Sequence, residues 1–365
     1  MTIDNRSAAG PVSAPMHSTQ KANSVSAPAT EEAVSIASER KFNLGGAARE
    51  LALLPAIAAT IVLGSFLSPF FLTVNNLVNN VLVTSAVLGM VVLAEAVILI
   101  AGKFDLSLES IVGLAPMFAV WLVLPSAAGG GGFEFSPWVA IPAMFLLAAA
   151  IGLFNGAIVS YLKLNAFIVT LATLILMRGV TVGLAGGQTL SGLPDAFKFL
   201  GTAKPLGLSI QVWIFVGAFV LAAAFMKHHP TGRRLYALGG NEAAAAAAGI
   251  RTRRLTIGAF VFGALIAAFA GLMLTGRIAS VASNQGENLI FTVFAAAVIG
   301  GISLEGGKGS MFGAMSGVVL LGLIQNLLVL SQVKSYWIEA FYGGIILAAL
   351  VLNYVVSKAR TRAQA

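Results

Sequence analysis

Three groups of residues in this chain have types and spacings that could do chemistry. The first is "GGISLEGGKGS" at 300–310, which approaches a phosphate-binding loop. Such a loop needs Gly, four residues, then Gly-Lys-Ser/Thr, so that backbone N–H groups wrap phosphate and a hydroxyl holds magnesium. Here Ile302 stands five places before Gly307, Gly309 rather than a hydroxyl residue follows Lys308, and an apolar run precedes instead of a strand. The stretch reads instead as a tight reversal between two apolar helices. Gly309, Gly313 and Gly317 then recur every four residues, which predicts a small-residue face for close helix packing. The second group is His228-His229, with His17 the only other histidine. Adjacent rings on a helix point in different directions, so the pair reads as a solvated helix end. With no cysteine there is no thiolate nucleophile, disulfide framework or thiolate metal site, and no metal centre is expected. The third group is the carboxylates. Fourteen are spread thinly, none beside a His or Lys in a reaction-like pair, so the chain does not read as an enzyme.

The elements around these residues are apolar. Of 365 residues, 58% are hydrophobic and only 10% charged, against about 25% charged in a soluble domain. Residues 1–45 are rich in Ser, Ala, Pro and Thr without an apolar run, and read as a disordered tail rather than a signal peptide. Beyond them a spanning helix needs about 20 mostly apolar residues. Ten candidates qualify: 51–67, 77–100, 110–125, 138–161, 166–186, 209–226, 255–275, 288–302, 310–330 and 336–354. The third and eighth are short, and either tilted, re-entrant or joined to a broken neighbour. The expected fold is therefore an all-α integral membrane protein of about ten transmembrane helices, with a polytopic body over 46–358 and a short tail at 359–365.

Charge placement orients that body. With the N-terminus inside and ten spans, 17 of the 22 Lys and Arg residues fall on inside segments and four outside, with Arg178 within a span. That is the positive-inside pattern, so the net charge of +8 points to lipid topology and not to nucleic acid. Both termini are expected in the cytoplasm. The inside loop 227–254 contains "GGNEAAAAAAGI". Asn241 is a good N-cap, Glu242 suits the positive end of a helix dipole, Ala243–Ala248 have the highest helix propensity, and Gly249 supplies a stop. The result is a thin rod suited to a groove on another protein; the bland alternative is a solvated loop helix.

Isolated polar groups interrupt the spans. Arg178 lies about 18 Å along its helix and is tolerable only facing protein or water, either pinning helix ends or lining a pathway. Glu95 sits near the inner end of its span, within snorkelling reach of the interface. Asp105, or Ser107, is placed to cap the following helix, with gating as the sharper alternative. Asn155 belongs to a set of neutral polar groups near span ends.

"GKFDLSLES" (102–110), "FNGAIVSYLKLNAFIVTLATLILMRGVTVGLAGG" (154–187), "TGRRLYALGGNEAAAAAAGI" (231–250) and "AAVIGGISLEGGKGSMFGAMSGVVLLGLIQNLL" (296–328) together resemble the membrane permease subunit of bacterial ABC importers of the ribose/monosaccharide type. The resemblance runs over about 51–355. It differs at 102–110, where the family usually shows Gly-Gly-hydrophobic-Asp-Leu-Ser-Val-Gly-Ser; this chain has Lys103 and Glu109 in place of two glycines. The resemblance implies a dimer of two copies, a cytoplasmic ATP-binding subunit and a periplasmic solute-binding protein. ATP and magnesium would then sit on the partner, and this chain would bind no cofactor. It makes the 239–250 helix, with Gly240, Asn241, Glu242, Ala243 and Gly249, the element that docks on the ATPase. Glu95, Asp105, Asn155 and Arg178 are the pathway or gating candidates. Other solutes, such as a branched-chain amino acid, nucleoside or polyol, fit the same architecture. An ion-coupled transporter would need midplane carboxylates and matched broken spans, and leaves the alanine helix unexplained.

Overall fold

The computed structural model describes residues 53–334 and further positions between 336 and 351. The expected tails at 1–45 and 359–365 and part of the tenth span lie outside the described residues. The rest is helical: α1 (Leu54–Leu67), α2 (Asn75–Ile100), α3 (Ser107–Val123), α4 (Pro137–Tyr161), α5 (Ala166–Ala185), α6 (Asp195–Thr202), α7 (Ile210–His228), α8 (Pro230–Gly240), α9 (Glu242–Ala247), α10 (Thr252–Ile278), α11 (Leu289–Ile299) and α12 (Met311–Leu330). Among the described residues, strand pairing is limited to one bridge between Leu190 and Val281.

Six of these helices, α2, α4, α5, α7, α10 and α12, are long and apolar enough to cross a membrane. Three more, α1, α3 and α11, are apolar but shorter. All nine fall where the sequence places spans, and the two flagged as short, α3 and α11, are among the three short ones. At ~1.5 Å per residue α11 is only ~16 Å long, about half a hydrocarbon core.

Helix starts follow local chemistry. Asn165 accepts from Phe167 N–H at 2.9 Å, Asn241 from Ala244 N–H at 2.9 Å, and Ser310 from Gly313 N–H at 3.0 Å. Each satisfies an amide that has no partner within its own helix. The centre is α2, buried at every residue from Ser85 to Ile100, as expected of a helix that is apolar all round. Helix α10 lies between α2, α3 and α4. Helices α4, α5 and α7 expose Leu146, Leu153, Ile168, Ile175 and Leu221. In water such a surface would aggregate; against lipid tails it is at no disadvantage.

Packing relies on small residues. A Cβ on Gly313 would stand 2.2 Å from Gly300 O, and one on Gly317 2.2 Å from Ala296 O, so α12 touches α11 backbone to backbone. Gly309 differs from its expected place: it precedes the helix, with φ 135°, and contributes to the reversal rather than to the packing face.

Candidate functional site

The segment "GKFDLSLE" links one end of the bundle to its middle. Alternate residues of it reach three different places. Lys103 Nζ lies 2.9 Å from Glu242 Oε2 at the start of α9. Asp105 Oδ1 accepts from the Ser107 backbone N–H at 2.9 Å and from its hydroxyl at 2.5 Å. Ser107 Oγ accepts from Asn155 Nδ2 at 2.9 Å. Glu109 pairs with the Arg178 guanidinium. Lys103 and Asp105 leave from the non-helical turn at 101–106, whereas Ser107 and Glu109 lie in the first turn of α3, about 200° apart around its axis.

At the first of these places the rod of alanines is as its sequence dictates. Asn241 caps α9, Gly249 takes φ +79°, and the Ile250 N–H closes onto Ala245 O at 3.1 Å. Ala245 is buried against the chain, whereas Ala243, Ala244, Ala246 and Ala247 are exposed. Glu242 is held by Lys103 of the same chain, a partner that sequence alone did not supply. The glycine-rich reversal completes this end. Gly307 N–H donates to Ile100 O at 2.9 Å. A Cβ on Gly239 would fall 1.9 Å from Ile100 O and 2.6 Å from Gly307 N. Three backbones, at 100–102, 239–240 and 306–307, thus meet beside α9, and Tyr236 donates from its hydroxyl to Gly309 O at 2.9 Å. The glycines of 300–310 serve this junction rather than a phosphate.

Behind it lies a buried polar cluster. Glu95 is fully enclosed, so it does not snorkel; its Oε1 is 3.4 Å from Asp105 N, and the surrounding helices cover it on all sides. Asn155 is also fully buried and satisfied at both ends, by Ser107 and by the Thr173 hydroxyl at 2.7 Å. Thr170 Oγ1 accepts from Leu106 N–H at 3.1 Å. Asn155 therefore clamps α3 to α4 and α5 and does not face an open path in this conformation. The outer oxygens Glu95 Oε2 and Asp105 Oδ2 have no hydrogen-bond partner among the described residues.

Half-way along the bundle, Arg178 bridges Glu109 and Glu287, with Glu287 Oε1 at 3.3 Å. The second oxygen of Glu109 accepts from Ile290 N–H at 3.1 Å, capping the start of α11. A half-length helix that begins inside the bundle needs its free N–H groups satisfied and its dipole answered, and Glu109 does both. The preceding irregular segment is stapled by Gln285, whose amide donates to Val112 O at 3.0 Å. Irregular backbone at this depth persists only where protein covers it. Sequence reading found Arg178 and flagged Glu109, but not their pairing, since 69 residues separate them. It also missed the reciprocal amide pair Asn76–Asn326, at 2.7 and 2.8 Å. The doublets in "NNLVNN" were its available signal.

Comparison with known proteins fits this geometry. The family model described as branched-chain amino acid transport system / permease component matches residues 77–350. The chain belongs to this family, and within it to the permease subunits of bacterial ABC importers of the ribose/monosaccharide type. It is 37% identical over 303 residues to the ribose import permease protein RbsC of Escherichia coli K12, covering 82% of this chain and 91% of that one. The Haemophilus influenzae RbsC is 34% identical over 308 residues, covering 83% and 93%. The autoinducer 2 import system permease protein LsrC of Shigella flexneri is 34% identical over 305 residues, covering 84% and 86%. No solved structure gives a significant match. The chain is thus a multi-pass protein of the bacterial cytoplasmic membrane.

Proposed function

We propose that this chain is the transmembrane subunit of an ATP-driven importer that carries a monosaccharide, or a related polyol, into the cytoplasm by alternating access. The observation that carries this reading is the near full-length similarity to permeases named for ribose import. Two copies form the path, and a periplasmic solute-binding protein delivers cargo to the end opposite α9. An ATP-binding subunit docks on the exposed alanines of α9, with ATP and magnesium held on that partner. The 227–254 end faces the cytoplasm, which agrees with its six Lys and Arg residues. Likeness to permeases named for autoinducer 2 import supports a second polar solute on the same architecture.

The test is purification of the full chain from its native membranes in mild detergent, wild type beside Ala244→Arg and Ala247→Arg. Both alanines are exposed, so the variants keep the fold. An ATPase that accompanies the wild type and is lost from the variants supports the reading. A folded wild type that brings no ATPase refutes it.

A further inference from the structure

A cavity of about 260 Å³ opens between α2, the end of α10, the start of α11 and α12. It holds the equivalent of about nine waters at about 30 Å³ each, hence one solute of about ten non-hydrogen atoms. Its polar lining comes from Thr84, Ser85, Arg277, Glu287, Gln325 and Tyr342. Leu88, Leu274 and Leu289 form apolar walls. Apolar walls with a few convergent polar groups are the usual make-up of a small-molecule site.

Two features mark it as built to receive a ligand. Ser85 is 1% and Tyr342 8% exposed, and neither hydroxyl has a hydrogen-bond partner among the described residues. Buried hydroxyls without partners are rare, because a polar group taken out of water and left unpaired is costly. Gly322 makes room for one of them: a Cβ there would stand 2.2 Å from Ser85 Oγ. The second feature is charge. Arg277 donates to Thr84 Oγ1 at 3.1 Å and keeps other N–H groups for the cavity, while Glu287 brings a carboxylate already shared with Arg178. The two ionic groups of the lining have opposite sign. Glu287, already paired with Arg178, enters as a hydrogen-bond acceptor, and Arg277 enters as a donor beside Thr84. A neutral solute with many hydroxyls uses both, since each hydroxyl donates and accepts.

The geometry points to this cavity as a resting site for a neutral polyhydroxylated solute within the permease itself. It rests on the importer reading above and adds the place where the cargo is held. The absence of cysteine makes it testable, because Gln325→Cys carries the chain's one thiol. Membrane vesicles with the full-length variant are treated with a small charged methanethiosulfonate reagent, alone or with D-ribose, sorbitol, gluconate or glucosamine. At ribose or sorbitol about ten times the dissociation constant, labelling slows about tenfold by mass action, whereas the two charged compounds protect far less. No labelling, labelling that neither neutral compound slows, or equal protection by the charged compounds overturns the site. In parallel, ribose uptake is followed in cells with the wild type and with Ser85→Ala, which removes a hydroxyl that holds nothing in the protein. The expected result is a KM raised about three- to tenfold at unchanged protein level; an unchanged KM counts against the site. Uptake that is normal while protection fails overturns the cavity and spares the importer. Protection with no chain-dependent uptake does the reverse.

Discussion

Lys103 and Glu242 stand 139 residues apart in sequence and 2.9 Å apart in space, and they join the turn before α3 to the first residue of α9. The pair is partly exposed, at 22% and 51%, so it contributes only about 0.2–1 kcal/mol to stability. Its weight lies in orientation. Lys103→Glu is expected to leave the melting temperature within a few degrees of wild type while reducing uptake and the cargo-stimulated ATPase rate. The swap Lys103→Glu with Glu242→Lys restores both. Equal defects in the swap and the single variants would show that α9 uses Glu242 for another contact.

The Arg178–Glu109 pair behaves differently because Glu109 is 3% exposed. Arg178→Ala strands a buried carboxylate at the start of α11. With Arg178 itself a third exposed, the loss is about 2–3 kcal/mol. Glu109→Ala with Arg178→Ala is expected to cost less than the sum of the single changes. Unfolding in mixed micelles measures all three.

Asp105 holds Ser107 through two hydrogen bonds, and Ser107 holds Asn155. Asp105→Asn keeps an acceptor at Oδ1 and is expected to be tolerated. Asp105→Ala frees a buried N–H and hydroxyl and costs about 1–3 kcal/mol. If both variants melt alike, the hydrogen bonds are not what this carboxyl provides.

Glycines divide by what surrounds them. Gly317→Ala puts a methyl 2.2 Å from Ala296 O and is expected to cost about 1–3 kcal/mol as α11 and α12 separate. Gly179→Ala, on α5 with nothing within 4 Å, is expected to be neutral or to stabilise by up to about 1 kcal/mol. Thermal melts of the two purified variants in one detergent make the comparison.

Local chemistry was the legible part of this molecule. Apolar runs gave the helices, and Asn241 and Gly249 marked the ends of α9, because caps and propensities act within a few residues. The two departures from the family pattern, Lys103 and Glu109, could be seen as anomalies, but not as halves of pairs. Their partners come from α9 and α5, and only folding brings those elements together. Glu95 was misplaced for a related reason: position along a helix says nothing of what covers it. Gly309 was put on the α12 face because the period of four runs through it, while the helix itself begins only at Met311.

Helix α10 begins at Thr252, five residues after α9 ends, and finishes beside Arg277 on the cavity wall. Its 27 residues make an unbroken rod of ~40 Å. A rod of that length is a lever: tilting it by ~5° at the α9 end carries Arg277 through ~3.5 Å, more than the length of a hydrogen bond. A tilt of that size would be enough to make or break the hydrogen bond from Arg277 to Thr84.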